Sequence, residues 1–227
     1  MKWQDKGYLI SLNKYNENSS IAQFLTKNHG KTTGIIFGSS SKKIKNYLII
    51  GNKIHLNYTS KNENNIGNFK VEIDKFLTPI YFDDRFKLSC IIYSMDIVRN
   101  LTVDGQFNQN IYFHIDNLFN LISKENWLKD FILWELTLFK MLGYEVNFQT
   151  YVDKELINGK VIYKLKGDNK KEIPNFLINK NENKISNNDI ISAFKISGDF
   201  LEKSILNAEN LEIIKSRNNL MLLFNKL

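Results

Sequence analysis

Cysteine, proline, histidine and arginine are all scarce in this chain of 227 residues. The one cysteine, Cys90, excludes an internal disulfide and any metal site built on clustered thiolates. No apolar run approaches the roughly 18 residues of a membrane-spanning helix. The N-terminal stretch has apolar residues broken by polar ones, not the continuous apolar core of a secretion signal. A soluble, cytoplasmic protein with no membrane partner is expected. The three histidines, His29, His55 and His114, have no triad or metal-ligand partner at a recognisable spacing. Gly30, Lys31 and Thr32 look like the end of a phosphate loop but lack its upstream glycine. The acidic pair Asp83 and Asp84 reads as the N-terminal cap of a helix. A protein that is not an enzyme, with no cofactor and no metal, is the expectation.

Lysine and asparagine are abundant instead, a bias that reflects base composition more than function. The net charge of +7 is unevenly spread. Residues 1–75 hold 12 lysines against 5 acidic residues, while the rest of the chain is neutral. A basic field confined to one third of the chain attracts polyanions.

That same third reads as β-structure. Tyr8, Ile10 and Leu12 alternate with polar or smaller neighbours, as do Ile54, Leu56 and Tyr58, and Phe69, Val71 and Ile73. Ile21–Leu25 and Thr32–Phe37 supply two more candidate strands. Five short strands between Gly, Asn and Ser clusters suit a small barrel, and periodicity alone leaves OB-fold and SH3-like barrels both open. Near Pro79 the period becomes helical. Leu88, Ile91, Ile92, Met95 and Val98 share a face; so do Ile111, Ile115, Leu118, Phe119 and Ile122. Trp127–Leu142 forms a third helix stopped by Gly143. Asn158 and Gly159 predict a hairpin turn. An exposed loop is expected over 167–185 around Pro174, then a helix begun by a capping box at Ser186 and Asp189. Ser197 is expected to cap a further helix over 198–207, and a last helix covers about 211–225. The seam falls at 76–83, dividing domains 1–78 and 79–227, with a small lobe at about 151–185.

Lys14, Lys31, Lys42, Lys43, Lys45 and Lys53 are interleaved with Tyr15, Phe37 and Tyr47. Single-stranded nucleic acid is held by such mixtures, ammonium groups on phosphates and aromatic faces on bases. A small barrel also needs aromatics inside, so which ones stack and which are core is open. The segment from Ser39 to Lys45 joins hydroxyls and amines that suit phosphate oxygens. Basic residues on a barrel equally permit an OB-fold RNA-binding or ribosome-associated factor. An enzyme acting on nucleic acid would need a carboxylate cluster or a general base, and neither is arranged in the sequence.

Trp3, Gly7, Glu17-Asn18-Ser19, Phe24-Leu25-Thr26, Gly30-Lys31, Gly38 and Gly51-Asn52 occur in the order seen in RecO N-terminal domains. Trp134-Glu135-Leu136 with Leu142-Gly143-Tyr144 resembles the central helix of that family. Ser197-Gly198 with Phe200-Leu201-Glu202 resembles its C-terminal helix. The resemblance spans nearly the whole chain. It implies an α+β architecture: an N-terminal five-stranded OB-fold barrel followed by an all-α domain with a small β-hairpin insertion. It also implies binding and annealing of single-stranded DNA in DNA repair and recombination, and loading of RecA onto SSB-coated DNA together with RecR. The acidic, apolar-tipped SSB tail would meet the helical part, with Trp127, Lys129 and Lys140 as candidates. Two departures stand out. Many relatives carry a four-cysteine zinc site in the lobe, whereas Tyr151 stands near the first cysteine position and 144–227 contains neither Cys nor His. A basic residue often precedes Gly38 in the family, where this chain has Phe37. The DNA path therefore leans on Lys42, Lys43 and Lys45.

Overall fold

Alternating inward apolar and outward polar side chains build five strands from the first 75 residues: β1 (Lys2–Asn16), β2 (Ser19–Thr26), β3 (Gly30–Phe37), β4 (Lys53–Thr59) and β5 (Gly67–Lys75). The computed structural model describes all residues except 63, 64, 146, 158, 159, 167, 183 and 213, and not the side chains at 157, 160 and 168–171. β1 is long enough to serve two neighbours. Its first half pairs with β4, Lys2 to Tyr8, and its second half with β2, Gly7 to Asn16. Register shifts near Ile10 and Tyr15 bend it between them. A parallel contact of β3 with β5, Gly34 opposite Gly67, closes the barrel in the order β1-β2-β3-β5-β4. A one-turn helix, α1 (Lys42–Lys45), lies between β3 and β4. Strand order and helix position are those of an OB-fold, which settles the choice that periodicity left open.

Closure depends on two bare backbones. A Cβ on Gly67 would lie 2.3 Å from Tyr58 Cζ, and one on Gly34 would lie 2.5 Å from Phe69 Cε2. The aromatic rings lie where those side chains would be. Leu9, Phe24, Ile36, Ile54, Leu56, Phe69 and Val71 fill the barrel with less than a tenth of their surface exposed. Each such side chain stabilises the fold by about 1.5–3 kcal/mol through burial.

Past β5 a 3₁₀ turn, Thr78–Tyr81, leads into α2 (Arg85–Leu101) and α3 (Gln109–Ile122). Asp84 caps α2 as expected, accepting from the backbone N–H of Phe86 (3.1 Å) and Lys87 (3.0 Å). α2 is buried around more than one stripe: Cys90, Tyr93, Ser94 and Ile97 join Ile91, Met95 and Val98 inside. The change from strand to helix thus falls at the expected 76–83. The compact units are cut elsewhere. One comprises Met1–Phe119 with Ile214–Leu220, the other Asn120–Ile213 with Met221–Leu227. The 78/79 boundary coincides with that change in secondary structure.

In the second unit α4 (Leu128–Met141) ends at Gly143, whose φ of +95° turns the chain. The Tyr144 N–H reaches back to the Phe139 carbonyl at 2.9 Å. The expected hairpin is part of a three-stranded sheet: β6 (Val152–Ile157), β7 (Lys160–Leu165) and β8 (Asp168–Ile173). Its Asn158–Gly159 turn lies outside the described residues. β8 and a short α5 (Asn175–Ile178) replace the loop expected over 167–185. A polar sequence hid them, but Ile173, Phe176 and Leu177 are buried and anchor the segment. The Ser186–Asp189 capping box opens α6 (Asn187–Phe200). Ser197 caps nothing. It is fully buried, its Oγ donating to the Phe194 carbonyl (3.0 Å), while α6 runs on into a π-helical stretch, Leu201–Leu206. The last helix, α7, is Lys215–Phe224.

Candidate nucleic-acid interface

The register of β2 with β3 places Ser19 opposite Phe37, so the β1–β2 turn meets the chain leaving β3. Gly38 turns that chain with φ of +70°, its N–H donating to the Asn18 carbonyl (2.7 Å). Hydroxyls lock the two segments together. Ser20 Oγ and Ser39 Oγ are 2.8 Å apart, and Ser40 Oγ donates to Asn18 Oδ1 (2.7 Å). Between them opens a groove of about 460 Å³, lined by Lys14, Lys45 and Glu17 among serine hydroxyls. Lys42 and Lys43 stand exposed on the same α1 turn. Among the described residues, none of Lys14, Lys42, Lys43 and Lys45 is held by an ion pair. Such ammonium groups are free to meet phosphate oxygens. Ser20 was not legible as a site residue, because it reaches this groove from β2, far in sequence from Ser39 and Lys45. Gly38, a turn signal straight after β3, hints that the chain turns back there.

The expected aromatics divide. Tyr15 and Phe37 are 58% and 59% exposed beside this groove's strands. Tyr47 is a core residue and no stacking platform: it is 7% exposed, and its hydroxyl donates to the Val71 carbonyl at 2.9 Å. Burial, then the charge of Glu72, pushes that hydroxyl above its ordinary titration range.

Two of the expected lysines are likewise committed inside. Lys31 sends its ammonium to the carbonyls of Arg99 (2.8 Å) and Thr102 (2.6 Å), with Asp104 at 3.0 Å. It thereby caps the C-terminal end of α2, where a cation satisfies orphan carbonyls and the helix dipole. Lys53 meets Asp116 at 2.8 Å and lies about 5 Å from the ring centroids of Tyr8 (5.1 Å) and Tyr112 (5.0 Å). The Tyr8 hydroxyl donates to the same Asp116 carboxylate. Burial first, then that hydrogen bond and charge, hold the Tyr8 phenol far above its ordinary range. Sequence could not separate these lysines from the free ones, since their partners come from α2 and α3.

The three residues expected to meet a protein tail are also engaged. Trp127 is 7% exposed and packs edge-on to Phe131. Lys129 Nζ donates to the carbonyls of Lys180 (2.7 Å) and Glu182 (2.9 Å). Lys140 remains at the surface, paired with Glu145 at 2.6 Å. In the lobe, no described group of three or more His, Cys, Asp or Glu side chains is placed to hold a metal. Its donor set does not fit zinc. Val152 and Ile173 are buried there instead, and Lys164 pairs with Glu155 at 2.6 Å.

Comparison with known proteins bears on this barrel directly. Residues 1–75, the five strands, match the family described as Recombination protein O N terminal, and residues 83–166 match Recombination protein O C terminal. The chain belongs to the Recombination protein O family. It is similar to the DNA repair protein RecO of Ehrlichia chaffeensis, 28% identical with 97% of each chain covered. It is also similar to the DNA repair protein RecO of Wolbachia sp. subsp. Drosophila simulans, 25% identical over 96% of this chain and 98% of the relative. The RecO of Roseobacter denitrificans matches at 26% over 63% of this chain and 60% of its own length. The RecO family is a DNA repair family, and its N-terminal match coincides with the barrel that carries the free lysines. Among the described residues no helix is long and apolar enough to cross a membrane.

Proposed function

We propose that this RecO chain is a recombination mediator that works by binding, without catalysing a reaction. Single-stranded DNA lies across the barrel end formed by β1, β2, β3 and α1. Lys14, Lys42, Lys43 and Lys45 hold phosphates, and Tyr15 and Phe37 stack on bases. One observation carries this reading: lysines without ion pairs among the described residues and two exposed aromatic rings stand on β1, β3 and α1 of one OB-fold barrel, with Lys14 and Lys45 lining its groove. Contacts of this kind do not read sequence, which suits strand annealing. The further roles, with RecR on SSB-coated DNA and through it on RecA, follow the family resemblance. They carry no residue assignment now that Trp127 and Lys129 have partners within the fold.

Competition binding tests the reading: a labelled unstructured DNA strand against structured RNA, over a salt series. Single-stranded DNA should win, with log K falling against log salt at a slope of about −2 to −4, as three to five phosphate contacts require. Preference for structured RNA would favour the ribosome-associated alternative and overturn the assignment. Titration with an SSB tail peptide tests the partner role, and the absence of saturable binding would count against it.

A further inference from the structure

Large apolar side chains are exposed in a second place on the same unit. Val103 (65%), Phe107 (51%) and Phe113 (44%) stand around the loop from α2 to α3 and the first turn of α3. Scattered exposed apolar residues are ordinary, but these belong to a loop that the barrel holds in place. Its Gly105 N–H donates to the Lys31 carbonyl at 2.8 Å, and Lys31 forms a bridge with Asp104. Gly30, with φ of +67°, abuts it so closely that a Cβ would lie 2.3 Å from the Gln106 carbonyl oxygen. Asn108 caps α3 through the N–H groups of Asn110 (3.1 Å) and Ile111 (3.2 Å). Phe107 and Phe113 are thus presented on a preorganised platform, at the Thr26–Gly30 end of the β2–β3 hairpin.

Cations accompany them. Lys27 Nζ lies 5.8 Å from the Phe113 ring centroid and, among the described residues, has no ion pair. Arg99 is nearby on the helix that Lys31 caps, 40% exposed and 3.6 Å from Asp96. An unpaired ammonium beside exposed aromatic faces suits a nucleic acid strand better than the apolar tip of an acidic peptide, which needs a groove. The distance also fits. The β2–β3 ribbon runs seven residue steps from Gly30 to Phe37, about 24 Å. Between its ends two successive pairs on one face are uncharged, Ile21 opposite Ile35 and Gln23 opposite Thr33.

We propose that single-stranded DNA, held at the Phe37 end as argued above, continues along this ribbon onto the α2–α3 loop. There Phe107 and Phe113 stack on bases and Lys27 meets a phosphate. The inference rests on the preceding assignment and adds a second binding subsite built from the helical segment. Two aromatic clusters joined by a neutral strand pair would set a footprint longer than the groove alone.

The test uses the full chain with thymidine oligonucleotides of about 4 and about 16 nucleotides, the span of OB-fold footprints. Phe107→Ala with Phe113→Ala should weaken the longer strand at least about fivefold, the lower end of one lost stacking contact. The shorter strand, satisfied at the Phe37 end, should change less than about twofold. Thermal melting should be near that of the parent, because both rings are half exposed. Phe107→Trp should retain affinity and Phe107→Leu should not, since Leu keeps the apolar area but no aromatic face. Equal effects on both lengths, no effect on the longer strand, or full affinity in Phe107→Leu would overturn the second subsite. The first assignment would stand in each case if the parent protein binds both strands. A parent that binds neither strand would overturn both.

Discussion

Replacing Lys31 by Met separates a structural lysine from a DNA-binding one. Met keeps the apolar stem and removes the ammonium that donates to the carbonyls of Arg99 (2.8 Å) and Thr102 (2.6 Å). Hydrogen bonds to charged groups are worth about 1.5–3 kcal/mol each, and the carbonyls left behind lose their partner. The Asp104 pair adds little, well under about 1 kcal/mol, because that carboxylate is largely exposed. Partial access of water to the α2 terminus offsets some of the loss, so about 2–3 kcal/mol is expected overall. For a chain of this size that lowers the melting temperature by about 4–12 °C. Calorimetry or circular dichroism reads the shift, and anisotropy over a salt series reads DNA binding in the cold, where the variant is folded. Affinity and salt slope should match the parent. A variant that melts like the parent while its slope flattens by about 0.7, the share of one phosphate contact, would refute the capping role and return Lys31 to the DNA surface.

Lys42→Ala, Lys43→Ala and Lys45→Ala together should flatten the salt slope by about two units, weaken all sequences alike and leave melting unchanged; charge reversal at Lys164 is the control, and DNA loss only in the control would move the site to the lobe. Gly67→Ala, which forces a Cβ against the Tyr58 ring at 2.3 Å, should destabilise the barrel by about 1–3 kcal/mol in urea unfolding. Burial acts to raise the Asp74 carboxyl, but the Lys6 hydrogen bond and charge, with His55 and Lys53, outweigh it and hold the group below its ordinary value of 3.8. Its stabilising effect is therefore complete above that value and lost as pH falls through the lower folded value. Asp74→Asn should be less stable than the parent at neutral pH, and the gap should narrow during acid unfolding below about pH 4. Dialysis of tag-free protein against a chelator should leave the melting temperature unchanged, as measured by calorimetry.

Periodicity alone determined where strands stop and helices begin, because burying one face imposes a period of two or 3.6 on any sequence. Local chemistry placed Asp84, Gly143 and the Ser186–Asp189 box correctly, since each acts within a few residues of itself. The concentration of positive charge in the barrel was equally legible, as charge needs no neighbour to be counted. Ser197 misled because a hydroxyl can satisfy itself on the preceding turn and let a helix continue. β8 was hidden because ladder hydrogen bonds do not require apolar side chains. What only the tertiary structure decided is the fate of each lysine and ring. Lys31, Lys42 and Lys53 look alike in sequence. Yet Lys31 meets carbonyls of α2, Lys53 meets Asp116 of α3, and Lys42 meets no acidic partner among the described residues. Tyr47 and Phe37 differ in the same way, one inside the barrel and one outside. The reason is physical: an ammonium or an aromatic ring is equally suited to a ligand and to the protein's own groups. Which it meets depends on partners distant in sequence, brought near only when the chain folds.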